Sequence, residues 1–190
     1  MISIDKQKKI LEKAVISSLK LAISEMQISK NYYSEEALRY IVVNEISKNE
    51  IWGSFPNKTK ELQLNFEFPY SKYRKIIGRF FPDITSLKFC EEGKINSTNP
   101  LAVELKIKKN YNLKDINKCR EYVNPKKGKH HFELAAFIVA PYKQNMNYEI
   151  FQFISRQEKK VVKAEELKIL YGYIEYNKDN NPIPKTRWIW

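Results

Sequence analysis

LAVELKIKK, residues 101–109, alternates: Leu101, Val103, Leu105 and Ile107 fall on one side of an extended chain, Ala102, Glu104 and Lys106 on the other. A strand with one wholly apolar face belongs against a core. Its other face carries a carboxylate and an ammonium two residues apart. Charges inside a sheet are costly unless they are paired or hold a metal.

Upstream, RFFPDITSLKF (residues 79–89) reads as a second strand, with Asp83 directly after Pro82 among Phe80, Phe81, Ile84, Leu87 and Phe89. Between the two lies EEGKINSTNP, whose Gly, Asn, Ser and Pro predict a turn and make the pair a hairpin. Pairing brings Asp83, Glu104 and Lys106 to one end of a sheet. Two neighbouring carboxylates repel unless a divalent cation neutralises them, and Mg²⁺ is held through one or two carboxylates plus water and substrate phosphate. Such a cation polarises a phosphodiester and acidifies a bound water, while the ammonium orients that water or stabilises charge on the phosphate. Glu-x-Lys alone says little, because it occurs four times, starting at Glu92, Glu104, Glu158 and Glu166. Only Glu104 lies in an alternating apolar strand, and only Asp83 among the aspartates follows a proline.

Working outward, residues 5–28 place Ile10, Leu11, Val15, Leu19, Leu21 and Ile23 at roughly helical spacing, predicting an N-terminal helix. Ser34 offers an N-cap to EEALRYIVVNEIS, a second helix. Leu62, Leu64, Phe66 and Phe68 alternate with polar residues, as in a half-buried strand. After the hairpin, NLKDINKCREYV (residues 112–123) reads as a helix, KKGKHH as a basic loop, and FELAAFIVAP (residues 132–141) as a strand in the middle of a sheet. Residues 148–154 offer a further strand, 161–176 a short helix or strand pair, and 177–185 an irregular segment before TRWIW. The order helix, three strands, helix, strand predicts an α/β domain with one sheet flanked by helices.

At 190 residues, one compact domain spanning residues 1–190 is expected. Thirty-four Lys and Arg against 22 Asp and Glu give a net charge of +12, which favours a polyanionic partner. Local groups at Lys106, Lys108 and Lys109 and at Lys126, Lys127 and Lys129 suit phosphate contacts. The N-terminus lacks the layout of a secretory signal, and the longest strongly apolar run, LAAFIVA, is too short to span a bilayer, so a soluble cytoplasmic protein with no membrane partner is expected. Cys90 and Cys119 have neither disulfide-framework nor zinc-site spacing. Cys119 reads as a small buried residue, His130 and His131 as surface or phosphate contacts, and Trp188 and Trp190 as docking on the sheet.

FPDI, a hairpin, then AVELKI, followed by a helix and an apolar strand, resembles the PD-(D/E)xK nuclease superfamily over about residues 32–141, with residues 1–31 an N-terminal helix and 142–190 a C-terminal extension. The resemblance implies a restriction-endonuclease-like core: a mixed central sheet flanked by helices in the order α-β-β-β-α-β, the last strand parallel to its neighbour. It implies hydrolysis of phosphodiester bonds, in DNA more often than RNA, with Mg²⁺ as cofactor and Mn²⁺ as substitute. The implied site is Asp83, Glu104 and Lys106, joined by a glutamate of the preceding helix, for which Glu35 is favoured and Glu45 is the rival. In the helix after Lys106 the family often places a basic or amide residue near the phosphate, a place open to Lys118 or Arg120. The glutamine and tyrosine pattern of one nuclease branch is absent, since CREYV has no Gln. Defence against foreign DNA or repair fits such an enzyme; the alternative is a binding or assembly subunit that keeps the fold without turnover. The terminal extensions leave room for a homodimer or a protein partner.

Overall fold

A computed structural model of the chain describes residues 3–28, 34–49, 52, 62–66, 82–88, 98–107, 113–124, 131–140 and 167–189. The two expected N-terminal helices form α1 (Ile4–Ile28) and α2 (Glu35–Ser47). Ser34 caps α2, its hydroxyl accepting the Ala37 amide hydrogen at 3.1 Å and satisfying one of the donors that a helix start leaves orphaned.

Among the described residues, six strands form one mixed sheet in the order β1 (Leu62–Phe66), β2 (Ile84–Lys88), β3 (Thr98–Lys106), β4 (His131–Val139), β5 (Ile169–Tyr176) and β6 (Pro182–Ile189). β1, β2 and β3 pair antiparallel, β3, β4 and β5 pair parallel, and β6 returns antiparallel to β5. Between β3 and β4 runs α3 (Leu113–Tyr122). The hairpin, the connecting helix and the central apolar strand were therefore legible from periodicity. The strand expected at 148–154 lies outside the described residues. Among the described residues, no helix is long and apolar enough to cross a membrane.

Two expectations need correction. β3 begins at Thr98, inside the stretch read as turn, because Thr98 and Asn99 pair with His131 and Phe132 of β4. Residues 182–185, read as irregular, belong to β6. Its Pro182 and Pro184 lie opposite Tyr176 and Ile174 on a strand at the end of the sheet order, the setting where a missing N–H is tolerated. Asn177 shapes the preceding turn by accepting the Asp179 and Asn181 amide hydrogens at 3.0 and 2.8 Å, and Asn180 takes the left-handed conformation with φ 65°.

Both faces of the central strands are buried, and the faces differ in character. Leu101, Val103 and Leu105 of β3, Leu134, Ala136 and Ile138 of β4, and Leu170 and Ile174 of β5 join Leu11, Val15 and Leu19 of α1 and Leu38, Val42 and Ile46 of α2 in one apolar core. The alternate residues, including Glu104, face α3, whose Tyr122 ring meets Phe132 edge-on at 6.2 Å. The anticipated alternation in LAVELKIKK thus separates a core face from a helix-covered charged face.

α1 reaches the sheet by close approach at Gly172, where a Cβ would stand 2.5 Å from Val15 Cγ1. At the rim the Trp188 indole N–H donates to Glu12, and Lys8 Nζ lies 5.2 Å from the Trp188 ring. The expected docking of Trp188 is therefore onto α1; Trp190 lies outside the described residues. Gly172→Ala should overpack this contact and destabilise the protein by about 1–3 kcal/mol in urea unfolding. Combining it with Val15→Ala should lose less than the two single losses together, since the second change removes the clashing methyl.

Candidate active site

Pro82 and Asp83 stand just before β2, which starts at Ile84, so Asp83 is not inside a strand as expected. Proline supplies no N–H to a ladder, and the Asp83 side chain takes over where backbone pairing stops. With Ile84 opposite Val103, Oδ2 of Asp83 accepts the Leu105 amide hydrogen at 2.7 Å. One residue of offset sets the carboxylate beside Glu104. Ser86 steadies β2 from behind, donating to the Trp52 carbonyl at 3.1 Å.

Glu104 is only 1% exposed. Its Oε1 receives Lys118 Nζ at 2.6 Å and Lys106 Nζ at 3.4 Å, and its Oε2 accepts the Tyr122 hydroxyl at 3.2 Å. Burial pushes the Glu104 carboxyl up and the Asp83 charge pushes it further, while Lys118 and Lys106 oppose; the net shift is upward. Burial pushes the Lys118 ammonium down, but its hydrogen bond to Glu104 and the Glu104 and Asp115 charges more than offset this, and it too ends raised. Tyr122 is held far above the ordinary phenol range by burial and by Glu104, so it keeps the proton it donates to Glu104.

α2 supplies two further charges. Arg39 Nη2 lies 3.6 Å from Asp83 Oδ1. Glu35, one turn earlier, sits in the same field: burial raises its carboxyl, Lys106 lowers it, and Asp83 raises it again, with a net upward shift. Glu45 is engaged elsewhere. It accepts the Ser17 hydroxyl at 2.7 Å and pairs with Lys48, tying α1 to α2.

Of the expected basic contacts, Lys118 faces Glu104, whereas Arg120 is exposed and donates to Asn117 at 3.5 Å. Two residues along a helix turn a side chain to nearly the opposite side, which decides between them. Lys108, Lys109, Lys126, Lys127, Lys129 and His130 lie outside the described residues. His131 Nε2 lies 3.2 Å from Thr98 Oγ1, at the far end of β3 from Glu104. Cys119 is fully buried, and burial pushes its thiol well up, as suits a packing residue. Arg39, Tyr122 and Asp115 were not singled out from the sequence. Two of them carry a helical signal, Arg39 four residues after Glu35 and Tyr122 four after Lys118, legible once each helix is known to face the hairpin.

No protein-family model matches the chain, and comparison with curated proteins finds no match. The site must be judged on its chemistry. Among the described residues, no group of three or more His, Cys, Asp or Glu side chains is gathered as a metal site. Asp83 and Glu104 nonetheless lie close enough for the charge of one to raise the carboxyl of the other, and Mg²⁺ needs only one or two protein carboxylates with water and phosphate. Hard oxygen donors of this kind fit it, with Glu35 contributing charge nearby.

The raised Glu104 carboxyl has a measurable consequence. A group that holds its proton more tightly when folded contributes stability that is full below its unfolded value, near 4.5, and lost as pH rises through the raised folded value. In urea unfolding with chelator from about pH 4 to about pH 8, wild type should therefore lose stability relative to Glu104→Gln as pH rises. A difference independent of pH would show that burial does not disfavour the Glu104 charge.

Proposed function

We propose that this protein is a metal-dependent nuclease of the PD-(D/E)xK type, hydrolysing phosphodiester bonds, in DNA before RNA. The observation that carries the proposal is the 2.7 Å bond from the Leu105 amide to Asp83, which sets that carboxylate beside Glu104 while Lys106 stands 3.4 Å from Glu104. The three residue types of the family motif thereby come together where β2 begins beside the end of β3. The succession from α2 through β1, β2, β3 and α3 to β4, with β4 parallel to β3, supports a restriction-endonuclease-like core. The net charge of +12 suits a nucleic-acid partner.

Asp83 and Glu104 would hold Mg²⁺. Bound there, the cation supplies Lewis acidity toward a phosphodiester and lowers the pKa of water. The protein's own groups do the positioning. The Leu105 amide and Arg39 hold the two oxygens of Asp83, and Tyr122 fixes Oε2 of Glu104. Lys106, 22% exposed at its side chain, is placed to orient water or stabilise charge on the phosphate. Glu35 adds negative charge at the helix side of the site, within the field of Lys106 and Asp83.

Labelled single- and double-stranded DNA and RNA, incubated with Mg²⁺ or Mn²⁺, test the reading. Cation-dependent cleavage of at least one substrate is expected, falling at least about a hundredfold in Asp83→Ala and in Lys106→Ala. Binding without cleavage of any substrate would identify a binding or assembly subunit with the same fold instead. Cleavage indifferent to Asp83 and to chelation would remove the site from the chemistry.

A further inference from the structure

We propose that Lys118 is a displaceable counter-ion, occupying Glu104 until a divalent cation arrives and then passing to Asp115. The inference rests on the reading of Asp83 and Glu104 as the cation-holding pair. Lys118 Nζ stands 2.6 Å from Glu104 Oε1, an oxygen it shares with Lys106, so a fixed positive charge already occupies part of what a cation would use. A divalent ion approaching that oxygen meets two ammoniums and is repelled by both.

Lys106 and Lys118 differ in where they can retreat. Lys118 also lies 3.3 Å from Asp115 Oδ1, one helical turn earlier on α3. Its ammonium therefore bridges two carboxylates, and leaving Glu104 requires only a side-chain rotation that keeps an ion pair intact. The Lys118 side chain is 27% exposed, which leaves it room to turn. Glu104 does not follow, because the 3% exposed Tyr122 holds its other oxygen from the same helix. Tyr122 acts as the anchor and Lys118 as the gate.

The arrangement makes two demands compatible. Without cation, Glu104 is buried beside another carboxylate and needs a positive neighbour. With cation, the same neighbour competes for the oxygen. A lysine able to lean on Asp115 meets the first demand and limits the second, so the site fills at a higher divalent-cation concentration than the carboxylates alone would need.

Mn²⁺ binding to the whole chain, read from the loss of the free-ion paramagnetic resonance signal, tests this without reference to cleavage. At fixed pH and ionic strength, Lys118→Gln should bind Mn²⁺ about tenfold more tightly than wild type, because one repelling charge is gone. Lys118→Arg should restore wild-type affinity. Asp115→Asn should bind several-fold more weakly, because Lys118 then has only Glu104 to pair with. Saturable binding by wild type that is not tightened in Lys118→Gln would overturn the gate while leaving the carboxylate pair standing. Absence of saturable Mn²⁺ binding in both wild type and Lys118→Gln would bring down the pair, and the gate with it. Should Lys118→Gln fail to fold, judged by circular dichroism, unchanged affinity in Asp115→Asn would overturn the gate on its own.

Discussion

The buried charge of Glu104 is the constraint around which this molecule is arranged. It sits on β3 between β2 and β4, with no solvent to stabilise it. An isolated ionised carboxylate in such a place costs several kcal/mol, so other elements must bring it partners. α3 contributes Lys118 and Tyr122, and β3 itself contributes Lys106. This dictates how α3 must lie: a rotation about its axis that improved apolar packing but turned Lys118 away would strand the charge. The need to satisfy Glu104, the contact of Cys119 with the Ala136 carbonyl and the packing of Tyr122 on Phe132 are met by one orientation of one short helix.

The two faces of the sheet divide the work. Toward α1 and α2 the alternate residues of β3, β4 and β5 are aliphatic, and this layer supplies the burial that holds the strands in register. Toward α3 the same strands carry Glu104 and the aromatic series Phe137, Tyr171 and Tyr173, with ring centroids 5.8 and 4.9 Å apart along it. Stability so concentrated on one face leaves the other able to hold charges that oppose folding.

Local physics was readable in the sequence where it acts locally. The Ser34 cap, the period-two pattern of Leu101 to Lys106 and the doubly apolar FELAAFIVA each depend on neighbours a few residues away, and each became the element expected. What escaped depended on partners distant along the chain. Asp83 looked like a strand residue because nothing nearby announces that its side chain will bond an amide 22 positions later. Residues 182–185 read as irregular, and their Pro182 and Pro184 are accommodated because β6 lies at the end of the sheet order. Glu45 looked eligible for the site from its helical position alone; only the packing of α1 beside α2 gives it Ser17 as a partner.

The seat of α1 has a bearing on how the molecule comes to exist. Glu12 and the Trp188 indole it accepts from are 176 residues apart, and the same helix packs over Gly172. The apolar stripe of Leu11, Val15 and Leu19 therefore has only α2 to rest on, and lacks part of its native sheet surface, until the β5 and β6 hairpin exists. A chain growing from its N-terminus at about 5–20 residues per second carries that stripe without its β5 and β6 partner for on the order of ten seconds. Such distant closure slows folding and leaves part of an adhesive surface open meanwhile, a cost of seating the first helix on the last hairpin.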